Sequence, residues 1–343
     1  YYVAPRRADQ NQVKFCCAGR HRSHPVMRRA PKIIGDQMRA ALNVADCKTR
    51  TGHPVMTYQL YIGDRTFSSW SLRGWLMLEK FGLPYTTTMV GLYRGTMAAD
   101  MAHLAPAKTV PAMQTPQGHV LTDSLAMAET LVEAHPTLDL YPRDPAARAL
   151  ARSMVAEMHG SFGALRSDCP NNMANTWVGF APSDAVKQDV ARITYLWDMA
   201  RLRHGANGPW LFGAYSLADV FYAPIGCRMT TYGLDVSPAA QTYIDTTLAE
   251  TSLRQWRAMG QTVTYDPFPY APGLERAAWP IPDLIAARAI ETGTPENATC
   301  PYSDKQVSHL LQTDGRVFGF CNAFCRDKTV NDPAAWPQFM ALL

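Results

Sequence analysis

No stretch of about eighteen residues is apolar throughout without a charge or a turn former, which excludes a membrane-spanning helix. Charge is scarce as well: 18% of residues are Asp, Glu, Lys or Arg against 47% hydrophobic, the balance of a globular chain with a buried core. Basic residues are missing where a nucleic-acid surface would need them. The formal net charge of +4 comes from residues 1–55, which hold 11 Lys/Arg against 3 Asp/Glu, whereas 56–343 hold 22 against 26. That body is mildly acidic and carries no basic stripe, so no nucleic-acid partner is expected. Internal repeats are absent. So is a disulfide framework: the eight cysteines are Cys16, Cys17, Cys47, Cys169, Cys227, Cys300, Cys321 and Cys325, unevenly spread. With no secretory leader pattern, this usage predicts a reducing, cytoplasmic setting.

At 343 residues the chain can hold two or three domains. Residues 1–55 are Arg-rich, contain one serine and show no apolar period. Met56 stands directly before the first strand signal. The expectation is a basic extension, disordered or mis-called, outside the folded body.

From 56 to 137 the pattern reads strand (57–62), helix (69–82), strand (85–92), hairpin (112–115 with 119–122, around Pro116-Gln117-Gly118) and helix (123–135). The order βαβ then ββα predicts a thioredoxin-like domain with a parallel first strand pair. Pro136–Pro145 is a short linker. From 145 to 260 the pattern predicts an all-helical domain. Leu150, Met154, Val155, Met158, Phe162 and Leu165 share one face, as do Val186, Val190, Ile193, Trp197 and Ala200. Ser216-Leu217-Ala218-Asp219 has capping-box spacing and opens a further helix. Residues 261–299 form a linker rich in proline and aromatics, expected to pack on the body. Residues 300–343 form a small cysteine-containing module.

The chemistry concentrates at strand–helix junctions. Ser68-Ser69-Trp70-Ser71 lies between the first strand and the first helix, where unpaired N–H groups and the helix dipole favour an anion. About forty residues on comes Val110-Pro111, then Asp123-Ser124 at the start of another helix. Serines at such places can be plain N-caps. In combination, the three motifs resemble the glutathione-binding domain of glutathione transferases, over roughly 57–260, and most of all the zeta-class enzymes and maleylacetoacetate isomerases. The resemblance implies that Ser68, or Ser69 as the second choice, hydrogen-bonds the glutathione sulfur and stabilises the thiolate. It implies that Pro111 follows a cis bond and that the Val110 backbone pairs with the cysteinyl unit. It implies that Ser124 takes the γ-glutamyl carboxylate while Asp123 faces the ammonium. Lys108 is a candidate for the glycyl carboxylate, and Arg73 occupies a position where the family often has arginine. Two positions depart from the zeta-class pattern: Trp70 stands where that class has Cys, and Thr109 where Gln is common.

The C-terminal sequence Cys300-Pro301-Tyr302-Ser303, with Phe320-Cys321-Asn322-Ala323-Phe324-Cys325, resembles small YHS- or TRASH-type metal-binding modules. Ser303 replaces the second cysteine of the first pair. A hairpin around Thr313-Asp314-Gly315 should gather Cys300, Cys321 and Cys325. His309, an acidic group or water would have to complete a zinc shell, so the expectation is a packed, vestigial module with little or no zinc.

The functional expectation is a glutathione transferase, a homodimer with glutathione as co-substrate, that conjugates or isomerises a small electrophile. One alternative is a maleylacetoacetate isomerase-like enzyme, in which the thiol adds, the double bond rotates, and the thiol leaves. The other is a non-catalytic glutathione-binding or metal-responsive interaction protein.

Overall fold

The computed structural model describes residues 57–92, 95–263 and 272–343. The expected extension at 1–55, with Cys16, Cys17 and Cys47, lies outside the described residues, as do Tyr265, Pro267, Phe268, Pro269 and Tyr270 of the linker.

Strand β1 (Tyr58–Ile62) leads through a tight loop into helix α1 (Ser69–Glu79), which returns to β2 (Tyr85–Met89). A short helix α2 (Met97–Asp100) precedes β3 (Ala112–Gln114), β4 (Val120–Leu121) and α3 (Ser124–Ala134). The sheet order is β2-β1-β3-β4, with β1 parallel to β2 and the other pairs antiparallel. This is the thioredoxin-like arrangement. The strand and helix signals ran slightly long, as element ends do where the last turn lacks partners.

Local chemistry explains α1. Ser68 caps it, Leu72, Trp75, Leu76 and Leu78 are buried, and Gly82 at φ +65° ends the turn while Leu83 N–H bonds the Leu78 carbonyl. Gly74 sits where a Cβ would lie 3.0 Å from Pro111 Cβ. The missing side chain therefore lets α1 lie against the Val110-Pro111 turn, whose peptide bond is cis. Gly63, just after β1, is equally close to Val110, at 3.1 Å from Cγ2.

The second region holds α4 (Pro145–Gly160), α5 (Gly163–Asp168), α6 (Asp184–His204), α7 (Leu217–Tyr232), α8 (Pro238–Ala249) and α9 (Thr251–Gly260). Helix α7 is its centre, buried on nearly every side. Its capping box forms as read: Asp219 accepts from Ser216 N–H at 2.9 Å, and also from Tyr243 Oη at 3.0 Å and Leu211 N–H at 3.1 Å. Among the described residues no helix is long and apolar enough to cross a membrane.

Two findings correct the expected boundaries. The helical region is not purely helical: β5 (Asn175–Val178) pairs antiparallel with β6 (Glu275–Ala278), a strand contributed by the linker. Trp177 is buried on β5, and Arg276 of β6 stacks on its ring at 5.3 Å, a packing partner far away in sequence. The C-terminal module likewise starts before 300. Its sheet is β7-β8-β9, with β7 (Arg288–Ile290) again from the linker, β8 at His309–Thr313 and β9 at Arg316–Phe320. Asp314 and Gly315 take φ 47° and 74°, the paired positive values of a tight hairpin turn. Helix α10 (Ala323–Asn331) packs against α9, and α11 (Pro337–Met340) ends the chain.

Candidate functional site

Ser68 and Ser69 are both nearly buried but differently engaged. Ser68 Oγ accepts from Ser71 N–H at 3.2 Å and donates to Ser71 Oγ at 2.8 Å, so its hydroxyl serves the helix cap. Ser71 Oγ also accepts from Gly63 N–H at 3.0 Å, tying the cap to the end of β1. Ser69, the first helical residue, accepts instead from Arg228 Nη2 at 3.1 Å, across the boundary between the two regions.

Asp123 caps α3, accepting from Leu125 and Ala126 N–H at 2.8 and 3.2 Å. Its other oxygen lies 3.2 Å from His159 Nε2 on α4. Ser124 is buried at the same helix start, and its Oγ has no hydrogen-bond partner. A buried hydroxyl without a partner costs free energy unless something binds it. Lys108 is exposed.

Trp70 links these parts. His159 meets its ring edge-on at 5.2 Å, and the guanidinium groups of Arg73 and Arg166 stack on it at 4.6 and 5.1 Å. Arg73 is buried, with Nε and Nη1 unbonded. Burial pulls its pKa down, and the Arg166 and Arg228 charges pull it further. His159 is held below its ordinary value, chiefly by burial, with Arg73 and Arg166 adding to this and Asp123 opposing it. The junction is thus rich in positive charge. Sequence reading missed Arg166, Arg228 and His159. Arg228 did leave a signal, as a lone cation in the apolar run 217–232.

A family model described as "Glutathione S-transferase, N-terminal domain" matches residues 67–134. Curated relatives match over longer stretches than that model. A probable maleylacetoacetate isomerase of Caenorhabditis elegans is 29% identical over 181 residues, covering 52% of this chain and 82% of the relative. A maleylacetoacetate isomerase of Pseudomonas aeruginosa is 29% identical over 212 residues, covering 60% of this chain and 98% of its own. Among solved structures, a glutathione transferase homolog from Burkholderia with bound glutathione aligns at TM-score 0.46 and 22% identity, covering 61% of this chain and 100% of that one. Glutathione transferase Omega 3C from Trametes versicolor aligns at TM-score 0.46 and 22% identity, over 62% and 87%.

The C-terminal thiols form a separate cluster. The sulfurs of Cys300, Cys321 and Cys325 lie within 4.8 Å of one another, Cys300 and Cys325 being buried. Ser303 Oγ donates to Cys321 Sγ at 3.3 Å. A hydroxyl therefore occupies the flank where a fourth thiol would stand. His309 does not complete the set: its Nδ1 lies 3.0 Å from Ser308 Oγ, and the cluster comprises the three thiols alone among the described residues. The hydrogen bond from the Cys325 thiol pulls the Cys300 pKa down, and the same bond pushes Cys325 up. The Lys328 ammonium lies nearby, 3.8 Å from the Tyr302 ring and 3.7 Å from that of Trp336. The donor set fits a tetrahedral structural zinc poorly.

Proposed function

We propose that this protein is a glutathione-dependent transferase or isomerase acting on a small electrophile. The observation that carries the reading is the buried, unpartnered Ser124 hydroxyl at the start of α3, in a domain of the glutathione S-transferase type. A carboxylate accepting from that hydroxyl would satisfy it, at a helix N-terminus whose dipole favours an anion. In this reading the γ-glutamyl end sits at Ser124, with Asp123 facing its ammonium. The Val110 backbone pairs with the cysteinyl unit as a strand edge does. Lys108 reaches the glycyl carboxylate. A hydroxyl of the Ser68–Ser69 pair donates to the sulfur and favours the thiolate over the thiol, whose ordinary pKa is about 8.5.

Bound glutathione supplies the nucleophilic sulfur. The protein orients the tripeptide and holds charge near the junction. The names of the relatives favour an isomerising version, in which the thiol adds to a double bond and leaves after rotation. A homodimer in the cytoplasm accompanies the proposal and is checked by sedimentation and by fractionation.

Retention on immobilised glutathione, followed by assays with an aryl halide and a cis-enone acid, tests the reading. Turnover of the acid alone selects the isomerase, and turnover of the halide the transferase. Retention with neither activity points to a binding protein, and no retention overturns the proposal.

A further inference from the structure

We propose that Ser69 is the catalytic hydroxyl and that Arg228, from the helical region, is the positioning residue that aims it at the glutathione sulfur. This inference rests on the glutathione reading above and deepens it.

The two serines differ in what their hydroxyls are free to do. Ser68 both accepts from and donates to Ser71, so its proton and one lone pair are committed to the cap. Ser69 Oγ only accepts, from Arg228 Nη2, and none of its described hydrogen bonds uses its own proton. A hydroxyl whose oxygen already accepts from a guanidinium is polarised, and it becomes a stronger donor to a thiolate. Ser69 is also the first residue of α1, where the helix dipole adds to the effect.

Arg228 is built for this task. It is buried, and its Nε donates to the Cys169 carbonyl at 2.9 Å, which fixes the plane of the guanidinium. It forms no ion pair with a carboxylate among the described residues, so its charge is not spent elsewhere. Burial lowers its pKa to about 10, and it stays protonated at neutral pH. Arg166 and Arg73 face the same junction and repel it, while the Asp123 charge partly offsets this at Arg73. An anion beside Ser69 would relieve that repulsion, and a bound thiolate is such an anion.

The test titrates the thiol of bound glutathione by its ultraviolet thiolate absorbance. The proteins compared are the wild type, Ser68→Ala, Ser69→Ala, Ser69→Thr, Arg228→Met, Arg228→Lys and the double variant Ser69→Ala/Arg228→Met. Ser69→Ala and Arg228→Met should each lower the thiolate fraction below the midpoint about tenfold, a shift of about one pKa unit. Ser69→Thr should restore it. Arg228→Met should add nothing in the Ser69→Ala background, because its effect passes through that hydroxyl. Ser68→Ala should lower thermal stability and leave the titration in place. Should Arg228→Met not fold, Arg228→Lys, which lacks the planar fork, takes its place in both backgrounds.

An unchanged titration in Ser69→Ala overturns the proposal, as does an Arg228 effect that persists undiminished without Ser69. If the wild type binds glutathione with a depressed thiol pKa, either result leaves the glutathione reading standing. Failure of the wild type to bind glutathione removes both.

Discussion

Asp332 accepts two hydrogen bonds from the Arg254 guanidinium, at 2.9 Å from Nε and 2.7 Å from Nη2, and so bolts the C-terminal module to α9. Both side chains are almost wholly out of solvent, at 12% and 2% exposure. Removing one partner strands the other charge in a dry contact. Asp332→Ala should therefore cost about 3–5 kcal/mol, read as a fall of several degrees in Tm. The paired replacement Arg254→Met/Asp332→Leu should recover most of the loss. A single variant with unchanged Tm would mean that the module is not held through this contact.

Ser124→Ala removes a hydroxyl that bonds nothing within the protein. Thermal stability should stay level or rise slightly, while affinity for glutathione falls roughly tenfold, about 1.4 kcal/mol. Calorimetric titration beside a melting curve checks both parts. A drop in Tm with intact affinity would make Ser124 a structural residue only.

Burial pulls Lys328 from its ordinary 10.5 down to about 8 against the opposing influence of the thiols. Between those values the unfolded chain binds more protons than the folded one, so stability gains from this group as pH rises from about 8 to 10.5. Below about 8 the gain is absent. Lys328→Met should erase it. Denaturant midpoints of the two proteins should diverge across that window in favour of the wild type; parallel curves would show that the ammonium stays charged in the fold.

Elemental analysis of the purified protein should find well under one zinc per chain, because three thiols and the Ser303 hydroxyl make a poor tetrahedral shell. Ser303→Cys supplies the missing thiol and should raise zinc retention. Stoichiometric zinc in the wild type after dialysis would make the module a metal site.

Local signals made much of this legible. The short apolar run at 58–62 and the apolar face of 69–82 gave β1 and α1, and Pro-Gln-Gly and Asp-Gly marked two hairpins. Motif spacing also singled out Asp123 and Ser124, both of which sit at the start of α3. What the sequence hid was long-range. Nothing near Asn175 announces that its strand partner lies about a hundred residues downstream, and a four-residue strand carries little periodic signal of its own. The hydrogen bond that sets Ser69 apart from Ser68 was equally hidden, since its donor Arg228 lies 159 positions away from Ser69.

The strands that the linker lends to its neighbours set where this chain can be cut. A fragment ending at 299 would keep β7 but lose β8, leaving an open row of amides and carbonyls. One ending at 272 would strip β6 from β5 in the same way. Open edges of this kind recruit strands from other molecules. A graft of the cysteine module onto another protein should therefore carry everything after α9, and a chimera joined at the first cysteine would be prone to clump.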